Sequence, residues 1–311
     1  MFSIVKRLFG ADEPAPAAAA APPPTRRRTA EWAEIRELEE HPRNARVRMS
    51  NAGSVPKLWF DGARCDGMTR FIRAIFYPDY DYETARHNDT SVPEGEYTIP
   101  LAVDGARKGG KATVTGAARG TVVDDDLRLW ANDRVAFCRK RKHPAMTLDI
   151  IAALEQWKFD GRFSQFPLVA DDIRIWTPVD MIAVHEVTGR PILLEFKTGY
   201  ETYLNKYTTN MRGPLSDKHD TPLNQFYVQL GLEMIIALKY YGFRFTKNFV
   251  LQAMQSRGVV PHELPSWVFE RRDAIWQFFC DGVRAVRLSR TTAKAHRVAV
   301  ERRHPNFKKR T

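Results

Sequence analysis

The sequence of 311 residues contains 48 Lys and Arg residues against 37 Asp and Glu residues, which gives a formal net charge of +11. This excess favours a polyanionic partner such as nucleic acid. No apolar run reaches the length of a membrane span, so no membrane partner is expected. Three widely spaced cysteines and eight unclustered histidines argue against a zinc site, and the cysteines are expected to be reduced thiols.

The composition divides the chain into four predicted regions. Residues 1–28 are rich in Ala and Pro and lack the large apolar side chains that packing needs, so a disordered leader is predicted. Residues 29–116 are predicted to be an accessory N-terminal region packed on a core formed by residues 117–283. Residues 284–311 are a basic C-terminal tail that could contact DNA, direct localisation or be only solvated, and DNA contact is the interpretation we favour.

The leader lacks the long apolar run of a secretory signal peptide. An intracellular location, in the cytoplasm or nucleus, is therefore expected, with a mitochondrial location left open.

A glycine-rich segment, residues 105–112, matches the glycine and lysine positions of a phosphate-binding loop. Ala112 occupies the position where that loop needs a Ser or Thr hydroxyl for Mg²⁺. The residues that follow are strand-like and end at Gly116, whereas the loop needs a helix whose N-terminus faces the phosphate. We interpret the segment as a hairpin turn and expect no nucleotide cofactor.

A short basic run lies within the predicted core, just before Pro144. Arg139, Lys140 and Arg141 are its first members, and they are candidates for contacts with DNA phosphates. The alternative is an ordinary solvated charged surface.

Two short apolar runs flank a polar turn at residues 186–189, a pattern that predicts an antiparallel hairpin. If the turn is centred near Val187, Asp180 lies opposite Glu195 with the side chains about 5 Å apart. Lys197 follows Glu195 by two residues and shares its face of the strand. Phe196 points to the opposite face, into the fold.

Two carboxylates at this distance repel each other, and burial on an apolar sheet adds a desolvation cost. Mg²⁺ or Mn²⁺ would remove both penalties and keep coordination positions for water and a substrate phosphate. Lys197 could orient or help to deprotonate the water and offset charge on the phosphate. The pattern predicts metal-assisted phosphodiester hydrolysis. The alternative is a cross-strand salt bridge on a solvated sheet edge.

These residues carry a resemblance to a known family. Thr177-Pro-Val-Asp180 followed by Leu194-Glu-Phe-Lys-Thr-Gly199 resembles the PD-(D/E)xK nuclease superfamily, specifically its RecB-like and lambda-exonuclease-like branch. The similarity extends over residues 117–255. It implies an α/β (α+β) fold with a restriction-endonuclease-like core, in which a central mixed β-sheet is flanked by helices.

The resemblance also implies the roles of the hairpin residues. Asp180 and Glu195 would bind the metal, with the Phe196 backbone carbonyl as a further ligand, and Lys197 would serve the attacking water. Thr198 and Tyr200, which follow, join the residues expected to support the site or contact DNA.

Two upstream positions match the branch with substitutions. Gly120-Thr-Val-Val-Asp124 stands where the branch often has a Gly-x-x-x-His helix start. Asp124 could still ligate a hard cation, or Asp124 to Asp126 could only charge the first turn of a helix. Gln165 stands where a Glu often precedes Pro, and a neutral amide is the weaker ligand, so one metal is favoured over two. Gln165 could support the site by contacting water or phosphate, or it could be an ordinary polar strand residue.

The segment that begins at Pro222 resembles the glutamine-containing helix of the branch, with Asp220 or Thr221 as its cap. Gln225 and Gln229 lie one turn apart on one face and could contact the DNA backbone or brace the metal ligands. A further strand is predicted at residues 248–254.

The resemblance implies a deoxyribonuclease that depends on Mg²⁺ or Mn²⁺ and acts on DNA. It favours an exonuclease in DNA recombination, repair or viral genome processing. Some RecB-like nucleases hold an iron–sulfur cluster through four cysteines, which this chain cannot supply. Two alternatives stay open: a catalytically decayed nuclease-fold DNA-binding protein, and a basic structural or packaging protein.

Overall fold

The computed structural model describes residues 33–50, 56–77, 92–93, 113–114, 116–198, 204–205, 209–254 and 257–303. The predicted leader, the glycine-rich segment 105–112 and Tyr200 lie outside these residues. The fold is a mixed α/β arrangement with a central sheet flanked by helices, which confirms the predicted fold class at that level. None of the helices described has the length and apolar character needed to cross a membrane.

Among the described residues, eight strands form the central sheet and two form a small separate ladder. The strands of the large sheet are β1 (Val47–Ser50), β2 (Lys57–Phe60), β3 (Ala63–Gly67), β6 (Phe159–Ala170), β7 (Ile175–His185), β8 (Pro191–Thr198), β9 (Lys247–Met254) and β10 (Gly258–Glu263); the ladder pairs β4 (Val92–Pro93) with β5 (Thr113–Val114). The order is β1-β2-β3-β7-β8-β9-β10, and β6 pairs with β7. The β3–β7 and β8–β9 pairs are parallel and the others are antiparallel. The strand predicted at residues 248–254 is β9.

Eight α-helices are described around the sheet. They are α1 (Ala33–Glu39), α2 (Met68–Phe76), α3 (Gly116–Asn132), α4 (Arg134–Arg139), α5 (Ala145–Gln156), α6 (Pro222–Tyr241), α7 (Ser266–Glu270) and α8 (Arg272–Arg303). Alternation along the strands gives the sheet two buried faces. Ile182 belongs to the core shared with α2, α6 and α8, whereas Met181 belongs to the core shared with α3 and α5.

One edge of β7 is open at its centre. β6 pairs along nearly the whole length of β7, so β3 and β8 must share the other edge. β3 pairs there as far as Trp176, and β8 begins to pair at Met181. Among the described strands, none pairs with this edge between those two residues. Thr177 and Asp180 lie in that gap.

Helix α6 begins and ends where local sequence signals place it. Thr221 is the N-cap, and its Oγ1 accepts a hydrogen bond from the Asn224 backbone N–H at 3.0 Å. Pro222 occupies the first turn, where its missing N–H costs no intrahelical bond. Gly242 ends the helix with φ of 65°, a left-handed conformation that glycine adopts without strain. Of the two predicted caps, Thr221 is therefore the one observed.

Two predicted regional boundaries fall within continuous structure. Strands β1 to β3 belong to the same sheet as the predicted core and join it through β3 and β7. At the other end, residue 284 lies inside α8, so the first part of the predicted basic tail continues a helix as far as Arg303.

Candidate active site

Strands β7 and β8 form the hairpin that the sequence predicts. The last pair of their ladder joins Met181 to Leu194. The next opposed positions are Asp180 and Glu195, so the predicted register is confirmed. Both residues lie at the point where the two strands separate, beside the open part of the β7 edge.

A side chain fixes the hairpin where the ladder ends. Asp180 Oδ2 accepts a hydrogen bond from the Phe196 backbone N–H at 2.9 Å. This bond ties β7 to β8 beyond Met181 without a further strand pairing. The Phe196 side chain is buried in the core on the α3 and α5 side of the sheet, as predicted.

Lys197 lies between the two carboxylates. Its Nζ donates a hydrogen bond to Glu195 Oε1 at 2.5 Å and lies 3.7 Å from Asp180 Oδ2. It also lies 4.7 Å from the centre of the Phe226 ring, a distance at which a cation is attracted to the ring face. The structure thus brings the three predicted catalytic side chains together.

Burial and mutual charge shift the pKa values of the side chains in this cluster. Glu195 is 1% exposed, and burial, followed by the nearby charge of Asp180, raises its pKa well above the ordinary value. Burial works against the charge of Lys197, but Glu195 and Asp180 outweigh it and raise the pKa of the ammonium. Lys197 is therefore a positive charge at neutral pH.

Helix α3 adds a third carboxylate. Burial raises the pKa of Asp124 to about 7, with a further contribution from Asp180 and an opposing one from Lys197. The ionisation of Asp124 is therefore influenced by Asp180 and Lys197 of the hairpin. The alternative that Asp124 only charges the first turn of a helix is wrong, because α3 begins at Gly116, two turns earlier.

Close packing brings α3 to the end of β8. A Cβ atom added at Gly120 would lie 3.5 Å from Thr198 Oγ1, which is ordinary van der Waals contact. Thr198, predicted as a supporting residue, thus lies beside the first half of α3 and is half-buried.

The two predicted glutamines of α6 have different partners. Gln229 Nε2 donates to Glu195 Oε1 at 2.9 Å and to Glu233 Oε1 at 3.2 Å. Gln225 Nε2 donates instead to Asp220 Oδ1 at 2.8 Å, in the segment before the helix. Gln229 is therefore the glutamine in contact with the hairpin carboxylate Glu195, whereas Gln225 hydrogen-bonds to the segment that precedes α6.

Glu233 is a site residue that the sequence reasoning missed. It is fully buried, and its Oε1 also accepts a hydrogen bond from Thr177 Oγ1 at 3.0 Å. Burial, followed by the charge of Asp180, raises its pKa to about 8. The available signal was an acidic residue in an otherwise apolar run, one turn after Gln229.

Gln165 stands at the level of Asp180 on β6. Ser164 pairs with Met181 and Phe166 with Val179, so Gln165 is the residue between these pairs. Its φ of 60° is in the left-handed region, which is uncommon for a residue other than glycine. Such a conformation has an energetic cost, and residues that carry one cluster at functional sites.

The basic run that begins at Arg139, the last residue of α4, is attached to α3 through a buried aspartate. Asp126 is fully buried; its Oδ1 accepts a hydrogen bond from Lys140 Nζ, and its Oδ2 lies 2.9 Å from His143 Nδ1. Arg139 and Arg141 are exposed. Lys140, one of the three predicted DNA contacts, therefore has a partner within the protein.

The described residues contain no group of three or more His, Cys, Asp or Glu side chains arranged to hold a metal ion. The chemistry of the donors is nevertheless that of a site for a hard cation. Glu195 Oε2 is buried and has no hydrogen-bond partner among the described residues, and carboxylate oxygens are the ligands that Mg²⁺ prefers. Among the described residues, Lys197 is the cation that acts on Asp124, Asp180 and Glu195.

Comparison with known proteins gives no independent assignment. No protein-family model matches the chain, and no curated protein matches it.

Proposed function

We propose that the protein is a metal-dependent deoxyribonuclease that hydrolyses phosphodiester bonds, built on a restriction-endonuclease-like core. The observation that carries this proposal is the convergence of Asp180, Glu195 and Lys197 at the open edge of β7. A solvated salt bridge would not need a carboxylate that is 1% exposed and is also held by Gln229 from a further element, α6.

Mg²⁺ or Mn²⁺ is the cofactor that the donor chemistry favours. Asp180 and Glu195 would hold the ion, with Asp124 and the Phe196 carbonyl as further candidates. A bound divalent cation acts as a Lewis acid and lowers the pKa of water. It would also offset the burial and the repulsion by Asp180 that together raise the pKa values of Glu195 and Asp124.

Lys197 has a defined part in this proposal. Its pKa is raised by Glu195 and Asp180 against the effect of burial, so it remains an ammonium. A positive charge held 2.5 Å from Glu195 Oε1 can orient a water molecule by hydrogen bonding and stabilise the charge that develops on the phosphate. Gln229 fixes the same Glu195 oxygen from α6.

DNA is the proposed substrate because of the charge of the chain and the character of the site. The net charge of +11 favours a polyanion, and the resemblance of the hairpin to the lambda-exonuclease-like branch favours action on DNA ends. We therefore propose an exonuclease of recombination, repair or viral genome processing.

The test uses purified protein with linear duplex, circular duplex and single-stranded DNA, each with Mg²⁺, Mn²⁺ or a chelator. We expect the metal-containing reactions to degrade linear DNA and leave circular duplex intact. Lys197→Met should abolish the cleavage, since it keeps the length of the side chain and removes its charge. Lys239→Met is the matched control, because Lys239 lies exposed on α6 and its ion pair among the described residues is with Asp172, away from the candidate site.

Three results would contradict the proposal in different ways. Cleavage of circular and linear DNA alike would identify an endonuclease. Tight DNA binding without cleavage by either metal would favour the decayed nuclease-fold binding protein. Binding that disappears only when residues 284–311 are deleted would favour the basic structural or packaging protein.

A further inference from the structure

We infer that Glu233 is a positioning residue that sets the orientation of the Gln229 amide and, through it, the placement of Glu195. This inference rests on the proposed function for its catalytic consequence, although the hydrogen-bond arrangement can be tested without activity. Glu233 lies one turn after Gln229 on α6 and has no exposed surface.

The geometry gives the Gln229 amide one productive orientation. Its nitrogen carries two hydrogens, and it lies 2.9 Å from Glu195 Oε1 and 3.2 Å from Glu233 Oε1. Both acceptors are carboxylate oxygens. With the amide turned over, its oxygen would face Glu195 Oε1 and Glu233 Oε1, which already accept hydrogen bonds from Lys197 and Thr177. Oxygen would then meet oxygen with no hydrogen between them. Glu233 therefore favours the rotamer that presents the NH₂ group to Glu195.

Glu233 is itself fixed from the sheet. Thr177 Oγ1 donates to Glu233 Oε1 at 3.0 Å, and Thr177 is 2% exposed. Thr177 lies three residues before Asp180 on the open edge of β7. A continuous chain of hydrogen bonds thus links Thr177, Glu233, Gln229, Glu195 and Lys197.

The same oxygen of Glu195 receives both Lys197 and Gln229. This arrangement leaves Glu195 Oε2 with no hydrogen-bond partner among the described residues, so Oε2 is available to a ligand. If the Gln229 amide were free to rotate, Glu195 would lose a donor that holds Oε1 in place. Groups that orient ligands in this way affect metal affinity or activity by about 10- to 100-fold.

The experiment compares five variants of the full chain. Glu233→Leu removes the acceptor while keeping similar volume, and Glu233→Gln keeps an acceptor oxygen for Thr177 and Gln229. We expect Glu233→Leu to raise the Mg²⁺ concentration needed for half-maximal DNA cleavage by about 10- to 100-fold, and Glu233→Gln to recover most of that loss. Ile236→Ala, which opens a cavity in the same helix at a fully buried position, should lower the melting temperature without this change in Mg²⁺ dependence.

The remaining two variants, Gln229→Leu and Gln229→Leu/Glu233→Leu, test the route through Gln229. In a Gln229→Leu background, Glu233→Leu should have no further effect on Mg²⁺ dependence, because the group it orients is already absent. Equal losses in both backgrounds would overturn the inference, as would an Ile236→Ala variant with the same Mg²⁺ dependence as Glu233→Leu.

A second measurement is independent of catalysis. The side-chain NH₂ signals of Gln229 can be identified in a ¹H–¹⁵N spectrum by their absence in Gln229→Leu. They should move toward the positions of a free amide in Glu233→Leu and stay near their wild-type positions in Glu233→Gln. Unchanged signals in Glu233→Leu would overturn the positioning role. If the wild-type protein cuts no DNA but the Gln229 signals still shift in Glu233→Leu, the hydrogen-bond role is supported and the proposed nuclease function is rejected.

Discussion

Asp180 accepts a hydrogen bond from the Phe196 backbone N–H at 2.9 Å, at the point where β7 and β8 cease to pair. Two functions therefore meet in one side chain: the carboxylate closes the hairpin, and it faces Lys197 in the candidate site. Because an amide oxygen can also accept a hydrogen bond, substitutions at Asp180 can separate these functions.

Asp180→Asn should abolish metal-dependent DNA cleavage and leave the stability of the fold nearly unchanged. Its amide oxygen can replace Oδ2 as the acceptor for the Phe196 N–H, whereas its charge is lost. Asp180→Ala should abolish cleavage and also lower the free energy of unfolding by about 1 to 3 kcal/mol, because it leaves a partly buried N–H without an acceptor. Urea denaturation and a linear-DNA cleavage assay measure the two effects. Equal stability of the two variants would contradict the hairpin-closing role.

Lys197→Met should destabilise the protein as well as inactivate it. The substitution leaves the buried Glu195 carboxylate without its 2.5 Å partner, and removal of one member of a buried ion pair costs about 3 kcal/mol or more. Added Mg²⁺ should recover part of this loss, since a cation at the site compensates the same charge. Lys239→Met should change the unfolding free energy by less than about 0.5 kcal/mol. A Lys197→Met variant as stable as wild type would refute the electrostatic account of the cluster.

The hairpin and the start of α6 were predictable because their determinants are local. The position of the turn fixes which residues face each other across β7 and β8, and a shift of one residue would have placed the charges on the other face. Thr221 and Pro222 specify the first turn of α6 in the same local way.

The partners of the α6 side chains were not predictable from the sequence. Gln225 and Gln229 share a helical face, but which of them meets Glu195 depends on how far α6 is displaced along β8, and tertiary packing sets that displacement. Tertiary packing also decides the role of Glu233, which could not be predicted because its partner Thr177 lies 56 residues away on β7. Lys140 likewise could not be distinguished from its basic neighbours without the position of Asp126.

The unfolding free energy of the metal-free protein should fall as the pH rises from about 4 to about 8. The pKa of Asp124 is raised from 3.8 to about 7 and that of Glu233 from 4.5 to about 8. The folded protein thus holds protons that the unfolded chain releases, and stability is greatest below the unfolded pKa values and is lost as the pH passes the folded ones. Thermal melts across this range measure the trend.

Two comparisons assign that trend to the site. Glu233→Gln should reduce the dependence on pH, because it removes one of the carboxyl groups whose pKa is raised. Mg²⁺ should stabilise wild type more at pH 8 than at pH 6, since ionised carboxylates bind it better. A melting temperature that rises steadily from pH 5 to pH 8 without metal would contradict the raised pKa values.

The basic run should divide into one structural residue and two DNA contacts. Arg139→Ala and Arg141→Ala change exposed side chains, so each should weaken DNA binding with a salt-dependence slope lower by about 1 and alter stability by less than about 0.5 kcal/mol. Lys140→Ala removes a partner of the fully buried Asp126 and should lower the free energy of unfolding by about 1 to 3 kcal/mol. Its effect on the salt slope should be smaller. Binding titrations at several salt concentrations, together with urea denaturation, separate these outcomes. Identical behaviour of Lys140→Ala and Arg139→Ala would show that Asp126 does not hold the run in place.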